Sequence, residues 1–232
     1  MMKSILSYIW GWLFIIVAVV FSVQTTALDP SFYTTRYEKM NLAQELHISS
    51  EDLNSGITLL LDYLEGKEES LEREVVINGK KQPIFNEREI SHMVDVRELY
   101  RNAIKTAIFS AIGMAVILFW FLMVDKVNTP AFLTRGFLQA LLCMMLALTL
   151  LGIWVLTDFT GFWMWFHTLF FNNDLWLLNP ATDFMINMLP ETIFYQLVLT
   201  IVLKVVFILI PCAIFSIWYQ KKKAPIGFGV KK

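Results

Sequence analysis

The chain has 232 residues, of which 56% are hydrophobic, 15% aromatic and only 17% charged, with a formal net charge of −1. A soluble domain carries about 45–50% apolar and about 25% charged residues, so this composition excludes an ordinary soluble enzyme and a disordered or fibrous chain. The near-neutral charge supplies no basic field for nucleic acid.

A helix needs about 20 mostly apolar residues to cross a bilayer. Four runs meet or approach that length: Ile5 to Thr26, Ile104 to Val124, Gly136 to Thr157, and Ile193 to Tyr219, the last interrupted by Lys204 and Pro211. The first is too long for a signal-peptide core of about 7–15 residues, and Thr25-Thr26-Ala27 is a poor cleavage site, so an uncleaved helix is expected. Cys143 and Cys212 both lie in apolar runs, where a reduced cysteine behaves as a small hydrophobe, and no disulfide is expected.

Charge then orients the chain. The amino terminus, the 125–135 loop and the tail after Tyr219 hold Lys3, Lys126, Arg135, Lys221, Lys222, Lys223, Lys231 and Lys232 against the single acid Asp125. The segment from Leu28 to Ala103 is acidic, and that from Phe159 to Thr192 has Asp174, Asp183 and Glu191 with no Lys or Arg. The positive-inside rule therefore predicts both termini in the cytoplasm. The expected fold is mainly α, a polytopic membrane protein with spans at 1–27, 104–124, 136–158 and 193–219. A small extracytoplasmic α+β domain would occupy 28–103, and an aromatic interfacial loop 159–192. The 125–135 loop and the basic tail 220–232 would be cytoplasmic, the tail lysines anchoring the topology and touching anionic lipid.

Within 28–103, apolar and aromatic residues recur at helical spacing from Tyr33 to Ile48. Ser49-Ser50-Glu51-Asp52 reads as a cap with acids in the first turn, opening a helix to Leu64 with Gly66 just beyond its end. Asn78-Gly79 between two strand-like runs is a strong hairpin signal. After Asn86, a second cap, the chain looks helical from Glu87 into the second span as one rod. At 1.5 Å per residue this puts His92 about 18 Å above Ile104. The segment 159–192 holds nine aromatics but is polar at Asn172-Asn173-Asp174 and Asn179-Pro180. It reads as short helices at the outer interface, where such rings concentrate.

All three histidines fall on the outer side. His47 reads as a solvated surface residue. His92 has Glu89 and Asp95 at i−3 and i+3, on one helix face, and Asp95 is placed to fix its tautomer. His167 sits among aromatics, seven residues before Asp174. An imidazole titrates near neutrality and suits proton transfer, although an interfacial, hydrogen-bonded structural histidine is the plainer reading of either one alone. The chain lacks HExxH, paired CxxC, GxSxG and P-loop patterns, and neither cysteine has a neighbouring base in sequence, so candidate covalent nucleophiles are poor. Gly227-Phe228-Gly229 is too weak to use. Lys204, mid-span, reads as a packed or snorkelling lysine ahead of a chemical role.

Two stretches are more specific. EREISHMVDVRELY (Glu87–Tyr100) and FHTLFFNNDLWLLNPATDFMINMLPETIF (Phe166–Phe194) resemble the signature segments of the Lit family, the lipoprotein intramolecular transacylases of Gram-positive bacteria. The order of elements is similar too. The resemblance implies a cell-membrane acyltransferase whose partners are membrane lipid and diacylglyceryl-modified lipoproteins. It would move the sn-2 acyl chain onto the α-amino group of the lipid-bearing cysteine, giving the N-acyl, S-monoacylglyceryl lyso-form. It implies His92 and His167 as the catalytic pair; spacing adds Asp95, Glu89 and Asp174 as supporting residues, and no cofactor or metal is expected. His92, oriented by Asp95, is the expected base, and His167 the partner of the oxyanion or leaving oxygen. Two other readings stay open: a metal-dependent membrane hydrolase using His92, His167 and a carboxylate, and a non-enzymatic membrane sensor or scaffold.

Overall fold

A computed structural model of the chain describes residues 1–223. The tail from residue 224, with Gly227, Gly229, Lys231 and Lys232, lies outside the described residues. Nine helices and one hairpin run in the order α1 (Met2–Ala27), α2 (Pro30–Met40), α3 (Leu42–Glu45), α4 (Ser50–Glu65), β1 (Glu74–Ile77), β2 (Lys80–Pro83), α5 (Glu87–Asp125), α6 (Thr129–Thr157), α7 (Phe159–Phe170), α8 (Phe184–Met188) and α9 (Glu191–Lys223) among the described residues. Four of them, α1, α5, α6 and α9, are long and apolar enough to cross a membrane. The protein is a mainly α, multi-pass membrane protein with a small two-stranded antiparallel sheet.

The chain divides into two compact units. The first holds Met1–Ser22, Ile104–Thr157 and the chain from Ile201. Its core is built by α1, α6 and α9 through Ile15, Ala18, Phe137, Ala140, Met144, Val205 and Leu209. In a bilayer, helices associate by close packing instead of by the hydrophobic effect, so small residues mark the crossings. Gly136 is such a point: a Cβ there would lie 2.0 Å from the carbonyl oxygen of Ser7, and one on Gly11 2.7 Å from the carbonyl of Gly136. Polar ties close the same unit. Lys3 pairs with Asp125 at 2.7 Å, and Gln220 donates to the Ala131 carbonyl at 2.7 Å. Phe109, Phe119, Leu142, Leu146, Leu150 and Phe207 are exposed, as lipid-facing side chains are. Helix α6 begins at Thr129, whose hydroxyl donates to the Asp125 carbonyl, so the segment read as a loop over 125–135 is largely the first turns of this helix. Pro211 sits inside α9 without ending it. Cys143 and Cys212 are free thiols.

The second unit is Val23–Ala103 with Asp158–Thr200. Leu53, Ile57, Leu60 and Leu61 of α4 bury their side chains in its interior, as do Phe32, Tyr33 and Tyr37 of α2. Ser49 caps α4 by accepting the Asp52 N–H at 2.9 Å, and Gly66 ends it at φ 83°. At the hairpin, Asn78 and Gly79 take φ 53° and 74°, the left-handed pair that a two-residue turn demands, and Ile77 faces Lys80 in register. The helical spacing from Tyr33 to Ile48 is interrupted. Asn41 adopts φ 52° and ψ 34°, ending α2, because its N–H closes back on Glu38 and Tyr37. His47 is exposed and also has positive φ, and its carbonyl accepts the Asn78 N–H of the hairpin turn.

Candidate active site

The site is set at the first turns of α5. Asn86 and Glu89 form a reciprocal capping box: Asn86 Oδ1 accepts the Glu89 N–H at 3.0 Å, and Glu89 Oε2 accepts the Asn86 N–H at 2.7 Å. The other Glu89 oxygen accepts the Met185 N–H at the start of α8. Asn86 Nδ2 donates to Asp183 at 2.9 Å, and Asp183 also accepts the Asn179 N–H at 2.6 Å. Beside Glu89, Arg88 donates to the Asp174 carbonyl. Asn173 Nδ2 donates to Asp95 Oδ2 at 2.8 Å. The polar face of α5 thus binds the segment 173–185 along its length. Burial pushes the Glu89 carboxyl above its usual range, against the backbone N–H donors of Asn86, Met185 and Phe184.

These ties bring His92 of α5 and His167 of α7 together. Their ring centroids lie 6.2 Å apart with the planes inclined by 37°, and each residue is only 8% exposed. Phe171 packs edge-on to His92 at 5.3 Å. Trp163 meets the His167 ring edge-on at 4.8 Å, and Trp176 stacks on it, also at 4.8 Å. Both histidines line an apolar cavity of about 340 Å³, whose wall includes Tyr33, Leu61, Leu99, Trp163 and Phe194. Ring faces and aliphatic side chains make it suited to hydrocarbon, with the two imidazoles as its chief polar features.

The two rings differ in their polar contacts. His167 Nδ1 lies 2.7 Å from the Trp163 carbonyl oxygen. A carbonyl only accepts, so Nδ1 carries the proton and Nε2 keeps its lone pair. His92 Nδ1 is buried with no hydrogen-bond partner. An orphaned lone pair there is cheaper than an orphaned N–H, which places the proton of a neutral His92 on Nε2. Burial pushes the His92 pKa down to about 4, helped by electrostatic coupling to His167 and by Arg88 and opposed by Asp95. Burial also lowers His167, opposed by its bond to Trp163. Both rings are therefore neutral at pH 7.

The expected supporting carboxylates sit elsewhere than spacing suggests. Asp95 bonds Asn173, not His92, and reaches His92 only through its field. Glu89 commits its oxygens to its capping box and the Met185 N–H, because three-residue spacing from a cap is also capping-box spacing. Asp174 is 77% exposed and lies 3.6 Å from Arg88. Among the described residues no group of three His, Cys, Asp or Glu side chains is arranged to hold a metal ion. Asn86, Asn173 and Asp183, which assemble the site, carry no signal in a single sequence beyond the cap at Asn86.

A family model described as "Lipoprotein intramolecular transacylase Lit" matches residues 8–194. A comparison with curated protein sequences returns no match. Among solved structures, the membrane-integral lipoprotein intramolecular transacylase Lit of Bacillus cereus is similar, with 17% identity, a TM-score of 0.76, and coverage of 96% of this chain and 97% of that one. Two structures of that protein with a substituted histidine, to arginine in one and alanine in the other, each match at 16% identity and TM-score 0.71, over 96% of this chain. These likenesses establish the fold, and the family model extends over most of the chain. The chain belongs to the lipoprotein intramolecular transacylase Lit family.

Proposed function

We propose that this protein catalyses an ester-to-amine acyl transfer within one diacylglyceryl-cysteine lipoprotein, moving the sn-2 acyl chain onto the cysteine α-amino group. The observation that carries the reading is the pair of imidazoles side by side in a hydrocarbon-lined cavity, with His167 Nδ1 bonded to a carbonyl oxygen and His92 Nδ1 buried without a partner. The amine and the ester belong to the same molecule, so the protein has mainly to orient them and move one proton. No serine or cysteine nucleophile is required.

The geometry favours the opposite division of roles from the one expected from Asp95 spacing. His167, held as the Nδ1–H tautomer, presents Nε2 as the base. The neutral amine attacks the ester carbonyl carbon, the C–N bond forms, and His167 Nε2 takes the ammonium proton. His92 Nε2–H donates a hydrogen bond to the tetrahedral oxyanion. His167 then returns its proton to the departing glycerol oxygen as the C–O bond breaks, regenerating the neutral ring. A lowered pKa makes protonated His167 a stronger acid for this last step. The products are the N-acyl amide and a free glycerol hydroxyl, with no water consumed. By the charge asymmetry of the chain, both termini lie in the cytoplasm and the histidine pair on the outer side. The protein is offered a diacylglyceryl lipopeptide in vesicles, and the products are fragmented in a mass spectrometer. Transfer gives an N-acyl fragment at unchanged total mass, whereas loss of a fatty acid would mean hydrolysis and overturn the reading.

A further inference from the structure

Trp176 lies on a segment with no regular structure, yet its indole is stacked on His167 with centroids 4.8 Å apart and planes within 25°. What holds it there is Asn173. The Asn173 carbonyl accepts the Trp176 Nε1–H at 2.8 Å, and its Oδ1 accepts the Leu175 N–H at 3.1 Å. Its remaining polar group, Nδ2, donates to Asp95 Oδ2 on α5 at 2.8 Å. Every hydrogen-bonding group on the Asn173 side chain is thus committed either to Asp95 or to the turn that carries Trp176. A stacked indole closes one face of the imidazole, leaving Trp163, Phe166, Phe171 and His92 to enclose the rest.

We propose that Asn173 is a positioning residue that, anchored by Asp95, clamps Trp176 against the His167 ring and so fixes the ring plane from which Nε2 acts. Asp95, on the helix that carries His92, therefore serves the other histidine, through Asn173 and Trp176. The kinetic consequence rests on the proposed transacylation, but the ring placement does not. Carboxylate and amide have nearly the same shape, so exchanging them between positions 95 and 173 re-forms the bond with its donor on α5. The net charge is unchanged, and an acceptor remains for the Leu175 N–H. Asp95→Asn alone weakens the anchor, and Asn173→Asp alone sets two carboxylates face to face.

The test uses the full chain in lipid nanodiscs with ¹³C,¹⁵N-labelled histidine, alongside transacylation rates on a diacylglyceryl lipopeptide. The chain has only three histidines, and exposed His47 serves as the internal control. Wild-type His167 should be in the Nδ1–H tautomer, with ring protons shifted upfield by the indole. Each single substitution should move these resonances toward free imidazole and lower the rate about 10- to 100-fold. The double exchange should restore both, with His47 unmoved throughout. His167 resonances unchanged in both single variants, or unrestored in the double exchange, would overturn it. If either single variant fails to fold, Asn173→Ser, which removes the Asp95 bond and keeps a hydroxyl for Leu175, is read the same way. A wild-type protein that transfers no acyl chain refutes the proposed function, while the resonances still decide the role of Asn173.

Discussion

His167 donates its Nδ1–H to the main-chain carbonyl of Trp163, one turn earlier on α7, across 2.7 Å. That bond leaves Nε2 as the basic atom of the ring. It also spares the site a buried carboxylate, since a carbonyl orients the imidazole without placing a charge in an apolar cavity. Replacing His167 by Gln removes the proposed base and is expected to lower the transfer rate about 10²- to 10⁴-fold. His92→Ala removes the proposed oxyanion donor and should cost about 10²- to 10³-fold, both read as N-acyl product formed per unit time.

The pH dependence follows from both histidines being held below the ordinary imidazole pKa. A depressed folded-state pKa means that the unfolded chain takes up protons first as pH falls. The stabilisation is complete above about pH 6.5 and is lost as the pH drops from there toward about 4 for His92. Thermal unfolding in detergent should show this acid destabilisation, about 3 kcal/mol at full extent for His92, and His92→Phe should flatten it. The acid limb of the reaction should instead follow the substrate α-amine, with an ordinary pKa of about 7.7–8.0, since only the free amine attacks.

Glu89 is a structural clamp. Glu89→Ala strips the Asn86 and Met185 N–H groups of their acceptor and is expected to destabilise the protein by about 1–3 kcal/mol, seen as a lowered melting temperature. Glu89→Gln keeps one acceptor oxygen and should lose less.

In the first unit, Gly136→Leu would drive a side chain into the Ser7 backbone, where even a Cβ lies 2.0 Å from the carbonyl oxygen. The expected result is a melting temperature several degrees lower, or failure of α1 and α6 to pack. Gly152→Leu, at a glycine with open space around it, serves as the tolerated control.

Much of the fold is legible locally. The Ser49 cap, the Gly66 stop, the Asn78-Gly79 turn and the Asn86 cap each depend on a residue and its immediate neighbours, so a sequence reader finds them. The break at Asn41 is less visible, because the apolar spacing continues across it and only the backbone turn reveals it. His92 and His167 stand out as the rare titratable groups near apolar sequence. Their supports do not. Asp95 has a helical neighbour in His92 but bonds Asn173, 78 residues away, and Trp176 reads as one more interfacial aromatic until its ring is found on His167. Spacing along one helix describes only that helix, whereas the site is made where α5 meets the segment after α7.

In the proposed transfer, one molecule supplies both the acyl chain and the amine that receives it. The purified protein, in vesicles, is given a mixture of two diacylglyceryl lipopeptides. One carries a ¹³C-labelled sn-2 chain on a mass-tagged peptide, and the other is unlabelled throughout. Fragmentation of the products should show every N-acyl label on the tagged peptide, at unchanged total mass, with the product absent for His167→Gln. Label on the untagged peptide, or free labelled fatty acid, would contradict the account.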